Sequence, residues 1–558
     1  MIKTDLLIIG SGFAGLLAAI TARDQGVKNI AIVDKGSVGK SSQSKLAAGA
    51  TIYCLPQDDK DAWLEDFVLA QNYLSRQDIV ADVIDTSFSR LEKLRLWGVN
   101  YRRTPFGYLR LPSRGLKRAK MMVIPKWKDK VGGSAVVGAL LSQVKRRKID
   151  YYPKVLITDL LQKDGRAAGA VGVHRMTGET IAFKARAVIL AGGDCSFRGT
   201  YACCDHTTGD AFRVAYDAGV RLSNMEFLTI NTASPYYGFE GTGFAFRFGG
   251  RFLNAKMEKF MREYHPDGDT AECNFLVQAM ADQVVKGNGP PFYFDVSRFP
   301  GNLIVKQALG RMIGGWMPVN MKRLEEVRHG FYKKPQEWVP GVQTLRGGAR
   351  TDIDCMTDLP GFFAAGMSQA IDPGLFNGWS SMRAMWAGER SGKAAARFIE
   401  DADDITPDQD DIRIKHERAL APLDRKPDIM PDEICDRMQQ ILFPYTVCIR
   451  RREDRLKEAL NKINNIRDND IPAMHAGDPH ELVKVHETES MILTARMHLV
   501  ASLARTESRG DHFREDYPET DNANWLKWID IRKDEKGELC VEPEPVPIDK
   551  YRFRPERT

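Results

Sequence analysis

No CxxC pair occurs among the nine cysteines, and Cys203 and Cys204 stand next to each other, which rules out the usual spaced ligand sets. The chain therefore holds no zinc ribbon, no thioredoxin-type dithiol and no iron–sulfur cluster of its own by this reading. An odd, scattered cysteine count also argues against a disulfide framework and for a reducing, cytoplasmic setting. No apolar run reaches the length of a membrane helix, so no direct membrane span is expected. The start has a single lysine, then Asp5 and an apolar run at 6–9 bounded by glycine, which reads as a strand and not as a signal peptide. Low-complexity tracts and internal repeats are missing as well. So is a strong charge imbalance: the net charge is only +6 over 558 residues.

What charge there is clusters. Arg102, Arg103, Arg110, Arg114, Lys117, Arg118, Lys120, Lys126, Lys128 and Lys130 crowd one segment with Asp129 as its acid, and Arg450 to Arg452 form a second group. Two readings stay open, a solvated face or a surface for an acidic partner or anionic substrate. No recognised nucleic-acid motif accompanies the charge, so nucleic acid is not an expected partner. The length is too great for one ordinary domain and points to two or three.

Residues 5–9 read as a buried strand, 14–25 as a helix closed by Gly26, and 29–33 as a second strand ending at Asp34. Between the first strand and the helix stands Gly10-Ser11-Gly12-Phe13-Ala14-Gly15, a G-x-G-x-x-G turn in the context that gives the motif its meaning. Gly10 permits the tight turn, Gly12 lets the backbone approach a pyrophosphate, and Gly15 lets the helix pack on the strand. The helix N-terminus offers N–H groups to phosphate, and Asp34 is placed to accept from a ribose. Three features favour FAD over a nicotinamide nucleotide. The motif starts at residue 10, Asp34-Lys35-Gly36 leads into a Ser/Ala/Gly-rich stretch at 41–51 able to lie along a flavin, and a later strand at 187–191 ends in Ala191-Gly192-Gly193.

Farther along, 132–149 reads as a helix, 151–157 as a strand, and 168–174 with 180–184 as antiparallel strands. Residues 231–350 are irregular and rich in glycine and aromatics. A buried strand returns at 361–366, followed by a helix at 379–399. Helical patterns then occupy 428–441, 447–466 and 480–505, before a proline-containing tail at 525–558. The expected fold is α/β, a Rossmann-like FAD-binding domain with an inserted α+β capping domain and a C-terminal helical domain. The expected boundaries are 1–230 and 351–404 for the FAD-binding domain, 231–350 for the cap, and 405–558 for the helical domain and tail.

Several motifs in order resemble the fumarate reductase/succinate dehydrogenase flavoprotein superfamily. They are Thr208-Gly209-Asp210-Ala211, Asn224-Met225-Glu226-Phe227, Phe252-Leu253-Asn254-Ala255 through Phe260-Met261, Gly361 to Gly366, and Ala504-Arg505-Thr506-Glu507-Ser508-Arg509-Gly510 through Trp525-Leu526-Lys527. The resemblance implies flavin contacts at Gly10, Ser11, Gly12, Ala14, Gly15, Asp34, Lys35, Ser42, Gln43, Ser44, Ala48, Gly49, Val155, Ala191, Gly192, Gly193, Asp210, Gly366, Met367, Ser380 and Ser381. It also implies a small-molecule substrate under the cap and a hetero-oligomer with a ferredoxin-like iron–sulfur subunit.

Departures from the family pattern are as telling. Gln43 stands where covalent-flavin members carry histidine, so non-covalent FAD is expected. Asn231-Thr232-Ala233 replace a substrate-binding His-Pro-Thr, Asn274 replaces the proton-donating arginine, and Phe376-Asn377-Gly378-Trp379 replace a segment with a dicarboxylate-binding arginine. A C4 dicarboxylate needs donors at both ends, and these have gone together. The pocket is expected to hold Tyr236, Tyr237, Phe239, Phe246, Phe376 and Trp379, with Tyr236, Tyr237, Arg247, Arg251 and His206 as acid/base candidates. The resemblance thus implies an FAD-dependent oxidoreductase passing hydride between a small organic substrate and flavin N5, with electrons exchanged through the iron–sulfur partner. An adenylylsulfate-reductase-like chain working on an anionic sulfur compound and a stand-alone O₂-using oxidase remain the alternatives.

Overall fold

The apolar runs that open the chain have no polar face, and a strand of that kind is stable only when covered on both sides. In the computed structural model, which describes residues 1–47, 49–123, 125–200, 204–236, 249–297, 334–374 and 378–556, they form the centre of a five-stranded parallel sheet. Its order is Asp150–Pro153, Ile30–Asp34, Leu6–Ile9, Ala187–Leu190 and Phe362–Ala364, every pair parallel. The strand order reverses around Leu6–Ile9, and such a switch point leaves a crevice at the carboxyl ends of the strands.

The helix Phe13–Asp24 runs from that crevice and is buried along most of its length. It packs against Trp379–Asp401, and glycines set how close the two come. A Cβ at Gly388 would stand 2.3 Å from the Ala14 carbonyl oxygen, and one at Gly392 would stand 2.6 Å from that of Ala18. Gly133–Arg146 adds buried apolar residues to the same core, which also takes in Lys60–Ala70, Gln77–Asp85 and Ser87–Leu96.

One expected strand is two. The run 151–157 breaks at Lys154, whose φ is +63° and whose N–H donates to the Gly36 carbonyl at 2.8 Å. Asp150–Pro153 stays in the parallel sheet, whereas Val155–Lys163 pairs antiparallel with Arg166–His174 in a second sheet completed by Thr180–Lys184 and Ile2–Lys3. A residue held in the left-handed region turns the chain from one sheet to the next, a step that an unbroken apolar pattern conceals.

Past residue 228 a four-stranded sheet has the order Leu228–Ala233, Gln336–Leu345, Phe292–Asp295 and Arg251–Leu253. The helix Cys273–Val285 joins it through Val277, Ala281 and Ile230. The C-terminal helices Pro431–Leu442, Glu453–Asn465 and Pro479–Ala504 share that apolar cluster. The tail is not an appendage. Lys527–Lys533 pairs with Leu539–Pro545 on one side and with Leu222–Ser223 on the other. Among the described residues no helix is long and apolar enough to cross a membrane.

Candidate functional site

The glycine turn leaves the first strand at the crevice, and each glycine has a steric reason. Gly10 has φ +106°, and a Cβ there would lie 2.2 Å from the Ala191 carbonyl oxygen. A Cβ at Gly15 would lie 1.9 Å from the Gly10 carbonyl oxygen, so only glycine lets the helix start this close to the strand. The first turn of the following helix has no acid to compete with an anion at its N-terminus. Asp34, at the end of the adjacent strand, accepts from the Ser11 N–H at 2.9 Å, the Gly36 N–H at 2.7 Å and the Ser11 hydroxyl. The Ser11 hydroxyl in turn accepts from the Gly39 N–H at 2.9 Å. Asp34 thus knits the phosphate turn to the next loop.

These elements surround a cleft of about 1120 Å³ that opens to solvent. Residues 41–44 form one side, Val155 to Ile157 another, and Ala365 to Met367 close the far end. The cleft fits FAD on two observations. The Gly10 and Gly12 positions keep clear a cradle that side chains would fill, since a Cβ at Gly12 would come within 3.0 Å of the Ser44 hydroxyl. Among the described residues, the buried Ser42 hydroxyl and the Asp210 Oδ1 have no hydrogen-bond partner, and both belong to residues that line the cleft.

Lys35 is fixed by three oxygens: Thr208 Oγ1 at 2.6 Å, Asp210 Oδ2 at 2.6 Å and Glu487 Oε1 at 2.8 Å. Burial alone pulls an ammonium's pKa down, but the Asp210 and Glu487 carboxylates more than offset it and hold Lys35 above its ordinary value. Glu487 also binds Arg198 at 2.5 Å. It comes from the long C-terminal helix, so that helix forms part of the cleft wall.

A buried charge cluster runs from the far end of the cleft. Arg383 donates to the Gly366 carbonyl at 3.2 Å and to Asp372 Oδ1 at 3.1 Å. Arg346 donates to Asp372 Oδ2 at 3.1 Å, to the Gly374 carbonyl at 2.6 Å and to Ser380 Oγ at 3.1 Å. Burial, against the pull of Asp372, leaves the Arg346 pKa below its ordinary value. Gly374 belongs to the wall of a second, smaller cavity, so this cluster joins the two spaces.

Several polar side chains line the second cavity among apolar surface. Asn231 and Asn274 line it with Arg114, Glu272, Arg509 and Asp511. The Arg509 guanidinium is already committed, with Nε and Nη2 on the two Glu507 oxygens at 2.7 Å each and Nη1 on the Asn72 carbonyl and Asn522 Oδ1. Arg114 donates to the carbonyls of Ala271 and Asp269. Burial pushes the carboxyls of Asp511 and Glu272 above the usual carboxylate range, and the Asp511 charge adds to the effect on Glu272.

Of the residues expected to contact flavin, Gly10, Ser11, Gly12, Ala14, Asp34, Lys35, Ser42, Gln43, Ser44, Val155, Ala191, Gly192, Gly193, Asp210, Gly366 and Met367 all line the cleft. Gly15 sits behind it, under Gly10, and Gly49 packs on the Gly132–Gly133 backbone. Ser380 is taken by Arg346, and Ser381 does not line the cleft. Among the acid/base candidates, His206 lines the cleft. Tyr236 is 71% exposed and donates to Glu337 at 2.7 Å, while Arg251 pairs with Asp295 at 2.7 Å. Trp379 is buried against Phe67 and is part of the core. Ala48, Tyr237, Phe239, Phe246, Arg247, Phe376 and Asn377 lie outside the described residues. The basic segment is largely engaged within the fold: Arg110 with Asp58, Arg118 with Glu65, Arg103 with Tyr108, and Lys128 and Lys130 over Trp127.

Sequence reasoning missed Glu487, Arg346, Asp372, Arg383, Glu272 and Asp511. Asp511 had a signal, because it fills the unspecified position after Arg509-Gly510 in the last motif. Glu487 had none, since its partner Lys35 is 452 residues away.

Residues 5–378 match the family of FAD binding domains, and residues 436–558 match the family described as fumarate reductase flavoprotein C-term. One chain of the CoM/CoB fumarate reductase of Methanothermobacter marburgensis is 29% identical over 551 residues, covering 94% of this chain and 96% of that one. A quinol fumarate reductase of E. coli superposes with a TM-score of 0.85 at 22% identity over 99% of this chain and 98% of its own. The adenylylsulfate reductase of Archaeoglobus fulgidus superposes with a TM-score of 0.78 at 22% identity, covering 99% and 97%.

Proposed function

Because the chain belongs to the fumarate reductase/succinate dehydrogenase flavoprotein family and is an FAD-dependent oxidoreductase, we propose that it acts on a small organic substrate other than a C4 dicarboxylate. FAD held in the cleft supplies a two-electron centre able to exchange hydride at N5. The chain's own residues divide the remaining work. The turn at Gly10–Gly15 and the helix behind it receive the pyrophosphate, with Asp34 keeping the turn in shape. Gln43 lines the cleft and offers no nucleophilic ring nitrogen, which supports non-covalent attachment. Arg383 and Arg346 hold the protein between cleft and cavity rigid through Asp372.

One observation carries the substrate reading. The second cavity has two arginines, both donating to protein acceptors, and it places Glu272 and Asp511 in the same wall. A dicarboxylate is held best by cations at both ends, and here both arginines already donate to protein acceptors while two carboxyls stand in the same wall. The absence of a CxxC pair supports electron exchange with a separate ferredoxin-like iron–sulfur chain. The test is anaerobic bleaching of the purified flavoprotein against a panel of small alcohols, amines, thiols and organic acids. Bleaching by a compound outside the C4 dicarboxylates is expected, and rapid bleaching by succinate refutes the reading.

A further inference from the structure

Proton transfer to or from carbon needs an acid or base in the substrate's own cavity, and among the described residues the expected candidates do not supply one there. Tyr236 and Arg251 lie elsewhere, and His206 belongs to the cleft, not to the second cavity. We propose that Asp511 gives the proton to, or takes it from, the substrate in the second cavity, with Glu272 beside it in the wall; this rests on the reading of that cavity as the substrate site. Asp511 follows Arg509-Gly510, and the Arg509–Glu507 fork fixes the backbone from which it projects. Its Oδ2 accepts from the Thr229 hydroxyl, on the strand Leu228–Ala233 that also lines the cavity. One oxygen is thereby anchored, which orients the carboxyl for the cavity it lines.

The charged groups around it are few. Arg346 faces it from beyond the strand Gln336–Leu345, and Arg451 faces it from the segment ahead of Glu453–Asn465. Glu272, at the head of the helix Cys273–Val285, adds a like charge, and Arg114 stands beside Glu272. Thr229, Arg346 and Arg451 favour the carboxylate but do not outweigh burial, so Asp511 keeps its proton to higher pH than a free aspartate. A carboxyl shifted in this direction holds a proton more readily than a free aspartate, as a proton donor must.

In the oxidative direction one substrate C–H bond breaks and its electron pair leaves as hydride for the oxidised flavin. An adjacent C–H, O–H or N–H bond breaks, and its proton passes to the Asp511 carboxylate. A double bond forms between the two substrate atoms, the flavin is reduced by two electrons, and Asp511 ends protonated. The reductive direction runs these events backwards.

Nitrate, a small anion whose charge does not change over this range, serves as the probe. Its binding to the flavin-loaded chain is measured by titration calorimetry from about pH 5 to about pH 8, in buffers of different ionisation enthalpy. If Asp511 must be protonated to tolerate an anion, wild-type affinity falls by up to roughly tenfold per pH unit above the Asp511 pKa, with proton uptake on binding. Asp511→Asn is expected to bind nitrate about tenfold or more tightly than wild type at the alkaline end, converging at the acid end, without proton uptake. Asp511→Glu should keep the proton uptake, and it serves alongside wild type if the asparagine variant does not fold. Wild type and Asp511→Asn with the same affinity at every pH, including no binding by either, overturns the assignment. So does wild-type binding without proton uptake. Flavin content, read separately from absorbance, reports on the cofactor cleft, so failure there is distinguished from failure of Asp511.

Discussion

Replacing Asp194 by asparagine puts a number on a charge that the fold holds at a cost. Asp194 follows the Gly192-Gly193 turn beside the cleft and is 2% exposed. Its Oδ2 accepts from the Thr344 hydroxyl, while Oδ1 has no partner. Burial raises its pKa to about 6 from 3.8, even though Thr344 and the charges of Arg346 and Arg383 pull the other way. A raised carboxyl pKa means that the folded state holds a proton the unfolded chain has released. The penalty is therefore absent below about pH 4, grows as pH rises toward about 6, and stays constant above it. A shift of about 2 units corresponds to about 3 kcal/mol. Asparagine keeps the acceptor for Thr344 and cannot ionise. Urea unfolding, followed by circular dichroism and flavin fluorescence, should show the two proteins alike near pH 4 and the asparagine variant ahead by about 3 kcal/mol above pH 7. A difference that does not grow with pH refutes the reasoning, because it would mean that Asp194 ionises as readily in the fold as out of it.

Other changes test the cleft directly. Gly15→Ala places a methyl 1.9 Å from the Gly10 carbonyl oxygen, so the purified protein should lose its yellow colour on gel filtration while keeping its helix content by circular dichroism. Lys35→Met leaves Asp210 and Glu487 without their shared cation and should lower stability by about 2–4 kcal/mol in denaturant unfolding; an unchanged midpoint would count against a stabilising role for this ion pair. Acid precipitation should release the flavin into the supernatant, since Gln43 offers no site for a covalent bond, and colour retained in the pellet would contradict non-covalent attachment.

Much of this fold is written in short-range pattern. The turn Gly10–Gly15, its flanking strands and the helix Phe13–Asp24 follow from glycine spacing and unbroken apolar runs, and they form where expected. The long helices Trp379–Asp401 and Pro479–Ala504 are equally plain from their apolar spacing. The helices between Lys60 and Leu96 escape that reading, although Asp59 marks a start by accepting from the Ala62 N–H. The break at Lys154 is also hidden, because a single left-handed residue leaves no trace in an apolar pattern. Pairings such as Lys35 with Glu487 and Glu226 with Arg505 depend on how distant segments dock, which spacing along one segment does not encode.

Motif and site turn out to be complementary. Glu226 and the arginines of the last motif look like catalytic equipment, yet Arg505 is fully buried between Glu226 and Glu507, and Glu507 also takes the fork of Arg509. Breaking such a buried set strands a charge and costs about 3–5 kcal/mol, which is reason enough for these residue types without any part in chemistry. The positions where the chain departs from the family pattern behave differently. Asn231 and Asn274 both line the second cavity, and Asp511 joins them from the one position the last motif leaves open between Gly510 and His512. Matching residues therefore build most of the frame, with Phe227, Arg509 and Gly510 also reaching the cavity wall, while of the differing residues Asn231 and Asn274 face that space and Trp379 belongs to the core. If chemistry follows the differing residues, exchanging Asn231, Asn274 or Asp511 should alter which compounds bleach the flavin while leaving flavin content intact, whereas exchanging Glu226 or Arg505 should cost the fold first.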